Sequence, residues 1–199
     1  MPRKAEDKEE KRNVILNGAL EVFTRYGYDK TTLDDIGKVV GLNKASLYYY
    51  YKNKEEIFLA TVLRESQREI ALLQEKVKDI EDVSEKIITY FIERLQYYRQ
   101  VLGLMSLSTE SLRSLQPVFD NLYREMQQKE VSYIAGCLAT LVQGDSHKAA
   151  GMLFAMADAL KHKAVLESGA VLSAGADFSE VEQHLRYLIG LHLKGLQAN

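Results

Sequence analysis

Apolar residues recur at three- and four-residue steps along almost the whole chain, a spacing that gathers them on one face of an α-helix. Over 11–26 the stripe is Ile15, Ala19, Val22, Phe23 and Tyr26, widened by Leu16 and Leu20, and Gly27 ends it. Leu33, Ile36 and Val40 share one face of a short second helix. Thr32 at its start stands three residues before Asp35, the spacing of a capping box, and Gly41 supplies the residue that turns left-handed where the helix stops. Leu42 points back to the core, and Asn43 is a good N-cap for a third helix over 44–51. A fourth helix over 54–78 opens behind Asn53, with Glu56 at the box position. Ile57, Phe58, Val62, Ile70, Leu73 and Val77 lie along it. Neither Gly nor Pro interrupts it, so it reads as a stiff rod.

The rest of the chain continues in the same period. One helix is expected over 83–102, with Ile87, Ile88, Phe91, Leu95 and Tyr98 inside. The serine-rich stretch 103–116 predicts a short helix with loops. Pro117 suits a first helical turn, and the helix it opens runs to about 142 with Val118, Leu122, Met126, Ile134, Leu138 and Leu141 inward. Gly144-Asp145 breaks the chain, a further helix follows over 146–167, and 168–177 reads as a loop holding Gly169 and Gly175. The last helix covers 179–196. Alternating β-branched clusters are missing, so the expected fold is all-α, about nine helices. A three-helix head occupies 1–56 and a helical domain 57–199.

The third helix carries the chemistry. Four consecutive tyrosines, Tyr48 to Tyr51, cannot share a buried face, because successive helical residues point about 100° apart. With Leu47 and Tyr51 inward, Tyr48, Tyr49 and Tyr50 are directed largely outward, beside Lys44 and Lys52. Helix, glycine-bearing turn and short polar-faced helix make the helix-turn-helix pattern, which sends residues 44–50 into a DNA major groove. The first helix, 11–26, is expected to clamp the other two from behind, since about two turns of helix cannot hold themselves up.

Composition narrows this picture only slightly. The formal net charge of −2 argues against a general nucleic-acid coat, yet Lys38, Lys44, Lys52 and Lys54 all fall inside one small motif. Cys137 is the lone cysteine and cannot form an internal disulfide; His147, His162, His184 and His192 show no ligand spacing. Neither a metal nor a cofactor is expected. No apolar run reaches a membrane span and no signal pattern opens the chain, which points to a cytoplasmic protein without membrane contact. No nucleophile–base arrangement or cofactor loop is present, so an enzyme is not expected. A helical adaptor acting through protein contacts, without DNA binding, is the alternative.

Ile15, Ala19, Phe23, Gly27-Tyr28, Thr31-Thr32, Ile36, Gly41-Leu42, Leu47-Tyr48 and Tyr51-Lys52-Asn53-Lys54-Glu55 together resemble the TetR family of bacterial transcription regulators. The resemblance covers roughly the first quarter to third of the chain. Tyr51 stands where the family usually has Phe, and Tyr50 where His is frequent. The resemblance implies that Tyr48 and Lys54 contact phosphate and that Lys44, Ala45 and Tyr49 face the groove. Lys54 sits at a helix N-terminus, where free N–H groups favour an anion. Thr32, also at a helix start, is expected to offer its hydroxyl and amide to another phosphate, and Tyr50 a hydroxyl.

The same resemblance implies a ligand-responsive regulator, most simply a repressor, which binds palindromic double-stranded operator DNA as a homodimer. The last two helices would close the dimer. Val181, Leu185, Leu188, His192 and Leu196, broadened by Ile189 and Leu193, form one stripe for this; Gly151, Met152, Ala155, Met156 and Ala159 form the other. A small, mostly apolar effector is implied within the domain 57–199. Tyr90, Tyr97, Tyr98, Tyr123, Met126, Phe154, Asp158 and His162 are the candidates to line its pocket, with Asp158 and His162 four apart on one face.

Overall fold

The computed structural model describes residues 3–105, 108–167 and 179–197, and within them the side chains of all but 3–5, 98–105, 109, 112, 164–167 and 197. The described residues form eight helices: α1 (Arg3–Tyr26), α2 (Leu33–Val40), α3 (Lys44–Tyr50), α4 (Lys54–Val77), α5 (Val83–Met105), α6 (Thr109–Leu138), α7 (Ser146–Glu167) and α8 (Ser179–Gln197). The all-α expectation holds. The helix count differs from the expected nine because the chain does not restart at Pro117. One helix, α6, runs straight through it. A proline inside a helix costs roughly 3 kcal/mol. Leu115 on one side of it is buried, and Phe119 on the other meets the Phe58 ring edge-on at 6.0 Å. Burying an apolar side chain of this size contributes about 2 kcal/mol, so two anchors flanking the proline offset its cost. Two boundaries also move. The charged residues from Arg3 onward are already helical in α1, and α6 closes at Leu138 with Leu141 N–H bonded to the Leu138 carbonyl. The expected loop over 168–177 lies outside the described residues.

The chain groups into two compact units, one within 1–66 and 104–119 and the other within 67–103 and 120–199. The first has its own core, built by α1 (Ile15, Ala19, Val22, Phe23), α2 (Leu33, Ile36), α3 (Leu47), Tyr51, α4 (Ile57, Phe58) and Leu115 of α6. Phe58 is its hub: Phe23 meets it edge-on at 5.0 Å, and the Tyr28 ring lies tilted against it at 4.6 Å. The second core gathers Leu73, Val77, Ile87, Phe91, Ile134, Leu138, Leu153, Phe154, Leu185 and Ile189. Val181, Leu185, Ile189 and Leu193 of α8 are sealed in it. This corrects part of the stripe expected to face a partner: the apolar side of α8 closes its own unit first. No described helix is long and apolar enough to cross a membrane.

Candidate nucleic-acid interface and a buried polar cluster

The head is set by two caps and one glycine. Thr32 caps α2 through a complete box: its Oγ accepts from Asp35 N–H at 3.2 Å, while Asp35 Oδ2 accepts from Thr32 N–H at 3.0 Å and from its hydroxyl at 2.6 Å. Those bonds hold the Asp35 carboxyl below its ordinary pKa. Asn43 caps α3 by accepting from Ser46 N–H at 2.8 Å. Asn53 likewise caps α4, accepting from Glu56 N–H at 2.7 Å, and the Glu56 carboxylate returns to Lys52 N–H at 2.5 Å. Between α2 and α3 the backbone folds hard upon itself. Gly41 is left-handed at φ 67°, and both it and Leu42 donate to the Gly37 carbonyl. A Cβ on Gly37 would stand 2.4 Å from the Leu42 carbonyl oxygen. The turn therefore needs glycine inside α2 as well as after it.

This frame fixes which way α3 faces. Leu47 is fully buried and Tyr51 nearly so, whereas Tyr48 is 50% exposed and Tyr49 71%. Lys44 and Ala45 are exposed on the same short helix, and Tyr50 is half-buried with its ring edge-on to Tyr49 at 5.0 Å. Lys44, Ala45, Tyr48 and Tyr49 thus form one outward surface. The other two candidates are engaged within the head. The donors of exposed Thr32 go to Asp35. Lys54, half-buried, gives Nζ to the Tyr28 carbonyl at 2.8 Å and lies 4.2 Å over the Tyr28 ring. Burial draws the Lys54 pKa below its ordinary value, against the pull of Asp29.

Sequence reasoning passed over three groups here. Gly37 was one, although an isolated glycine inside a short apolar-faced helix is itself a sign of close packing. Asp29 is another: its carboxylate accepts from Ser108 N–H at 2.6 Å and from the Ser111 hydroxyl, tying the α1–α2 loop to the start of α6. Those partners lie some 80 residues away, so no local pattern signals them. Arg12 is the third. Its guanidinium lies 5.3 Å over the Tyr51 ring, with Nη2 3.4 Å from the Tyr50 carbonyl.

The second unit holds a buried polar cluster. Arg94 donates from Nε to both Glu130 oxygens at 3.0 and 3.2 Å, from Nη2 to Tyr123 at 3.0 Å, and from Nη1 toward Asp158 at 3.4 Å. Tyr90 donates to Glu130 at 2.8 Å. Asp158 also accepts from Tyr123 at 2.5 Å, Gln127 at 3.0 Å and Lys161 at 3.0 Å. Burial opposes the Asp158 charge, yet Lys161 and Arg94 hold its pKa below the ordinary value. Burial opposes the Arg94 charge too, and Glu130 and Asp158 outweigh it. Burial draws Lys161 down despite Asp158.

Of the ligand candidates, Tyr90, Tyr123 and Asp158 meet in this cluster, and the Phe154 ring lies 5.0 Å from the Arg94 guanidinium. Tyr97 and Met126 are half-buried, His162 is exposed, and the Tyr98 side chain lies outside the described residues. Arg94, Glu130, Gln127 and Lys161 were not foreseen, because charged and amide side chains on helices normally read as solvated faces. A cavity of about 400 Å³ lies elsewhere in this unit, lined by Val142, Lys148, Ala149, Met152, His192 and Leu196 among others, and by none of those candidates.

Residues 15–61 match the family model described as bacterial regulatory proteins, tetR family. The biofilm-operon icaADBC negative transcriptional regulator IcaR of Staphylococcus epidermidis is 53% identical over 51 residues, which is 26% of this chain and 28% of that relative. The aligned stretch therefore spans little more than a quarter of the curated relative. Over the whole fold, a transcriptional regulator from Cytophaga hutchinsonii superposes with a TM-score of 0.74 at 25% identity, covering 93% of this chain and 97% of that one. A TetR-family regulator, described as putative, from Mesorhizobium loti gives 0.68 at 17%, covering 94% and 97%. With its head matched in sequence over 15–61 and its described helices matched in fold, the chain carries a TetR-type head on a fold shared with bacterial transcription regulators.

Proposed function

We propose that the chain is a repressor that binds a palindromic operator as a homodimer and is released or retuned by a small, mostly apolar effector. The observation that carries the DNA-binding reading is the outward face of α3, with Lys44, Ala45, Tyr48 and Tyr49 exposed on a helix whose Leu47 is fully buried. Lys44 is suited to guanine acceptors, and Ala45 and Tyr49 to a thymine methyl. Tyr48, Tyr50, Lys54 and Thr32 meet backbone phosphates. Lys54 has two N–H donors left beyond the one given to Tyr28, whereas Thr32 must exchange Asp35 for the phosphate. The relative IcaR, similar over the head, is a negative transcriptional regulator, which supports repression.

Support for the dimer comes from α7 and α8. Met152, Ala155 and Ala159 of α7 are exposed, as are Tyr187 (66%) and Leu191 (50%) of α8, although both helices have already filled their own core. Paired about a two-fold axis, these faces close a four-helix bundle and carry two recognition helices to half-sites about 34 Å apart. The effector reading draws on the Arg94–Glu130–Asp158 cluster with its tyrosines. Whatever binds must prefer one spacing of the heads; a hundredfold loss of operator affinity needs about 2.7 kcal/mol of such preference.

A gel shift on the region upstream of the chain's own gene tests the reading. The wild-type protein is expected to retard that DNA. Lys44→Ala should bind it about 5- to 150-fold more weakly, the worth of one specific base contact at about 1–3 kcal/mol, and Tyr49→Ala should change which operator variants are preferred. Equal affinity of the wild type for all duplexes, or no loss on Lys44→Ala, would refute the assigned face.

A further inference from the structure

The recognition helix does not stand alone on the surface of its unit: the N-terminal turns of α1 lean on it. Lys8 and Arg12 are four residues apart and share a face of α1. Arg12 spans the last residues of the α3 segment, over the Tyr51 ring and toward the Tyr50 carbonyl, where the helix C-terminus carries partial negative charge. Its Nε is buried without a hydrogen-bond partner, so the guanidinium is held there by ring and carbonyl together. One turn earlier, the exposed Lys8 places Nζ 5.5 Å from the centroid of the Tyr49 ring. Tyr49 is the most exposed of the tyrosines named for DNA contact, and its other neighbour is the edge-on ring of Tyr50.

A side chain as exposed as Tyr49 has little packing to choose its rotamer. The cation on one side and the Tyr50 ring on the other supply a preference, since an ammonium within about 6 Å of a ring is attracted to its face. The same approach also brings an exposed positive charge to the rim of the surface formed by Lys44, Ala45, Tyr48 and Tyr49. A groove wall at that rim is a row of phosphates. Around Tyr51, Glu9 and Glu56 act electrostatically in the opposite sense to Arg12 and Arg64. Lys8, one turn before Arg12 and exposed, is the cation that stands beside the Tyr49 ring at this rim.

Resting on the DNA-binding reading above, we propose that the DNA-contacting surface extends from α3 onto α1, with Lys8 setting the Tyr49 ring toward the groove and neutralising a backbone phosphate beside it. Lys8 is then both a positioning residue and a phosphate ligand. The two roles leave different marks: the first on sequence preference, the second on salt dependence.

The test uses the full chain and a duplex enriched by the wild-type protein from a random-sequence pool, with a scrambled duplex beside it. Affinities are read by fluorescence anisotropy between about 50 and 200 mM salt. Lys8→Gln is expected to weaken binding to both duplexes and to flatten the plot of log K against log salt by about 0.9 for each phosphate the variant no longer neutralises. Lys8→Arg keeps the charge and should keep the slope. In the double variant Lys8→Gln/Tyr49→Leu the loss should fall short of the product of the two single losses, because Lys8 acts partly through the ring. A Lys8→Gln slope equal to the wild type overturns the phosphate role, and strictly multiplicative losses overturn the positioning role. A wild-type chain that enriches no duplex overturns the DNA-binding reading itself, and this inference with it.

Discussion

At the scale of single residues, the head depends on positions where an atom more cannot be fitted. Gly37 is the sharpest. The Leu42 carbonyl oxygen occupies the place of a Cβ at 2.4 Å, and that oxygen is backbone, which cannot swing away as a side chain would. Gly37→Ala is expected to destabilise the head by about 1–3 kcal/mol, the usual range for overpacking, and to weaken DNA binding beyond that by tilting α3. Thermal unfolding and operator affinity measured on the same variant check both parts; an unchanged melting temperature would contradict the close approach. Residues that act through local geometry were legible in sequence. Thr32, Gly41, Asn43 and Leu47 do what their spacing predicts, because caps, left-handed turns and helical faces are decided within four residues. Lys54 shows the limit. Its place at a helix start was readable, but its hydrogen bond to a carbonyl 26 residues away was not.

At the scale of elements, the same contrast separates α3 from α6. The short helix α3 announces itself by its caps and its row of tyrosines. Helix α6 runs against its own local signal, since Pro117 marks a start by every nearby rule. Only the burial of Leu115 and the ring contact of Phe119 explain why the helix continues. The buried polar cluster is likewise a property of three helices rather than of any one, joining Arg94 of α5, Glu130 of α6 and Asp158 of α7. Its pH behaviour follows from Asp158. The folded-state carboxyl titrates below the ordinary value of about 3.9. Its contribution is therefore fully present above that value and is lost as pH falls through the lower folded pKa. Asp158→Asn should lower the melting temperature near neutrality and flatten the acid limb of the stability curve below about pH 4. An acid limb as steep as that of the wild type would show that Asp158 is not a linked group.

At the scale of the whole molecule, the proposed function rests on repetition of one surface. A single α3 of seven residues offers a handful of base and phosphate contacts, too few for a lone site in a genome. Two copies related by a two-fold axis double the contacts and add half-site spacing as a criterion. Met152, Tyr187 and Leu191 are exposed on the last two helices, where the proposed dimer would join its second copy. The most direct measurement is protection of guanine N7 from methylation on the enriched operator duplex, read base by base with the full-length protein. Two protected blocks, related by the operator's symmetry, about one helical turn apart and weakened together by Lys44→Ala, are the expected result. A single block, or protection that Lys44→Ala leaves intact, would contradict the assignment of α3 as the element that reads DNA.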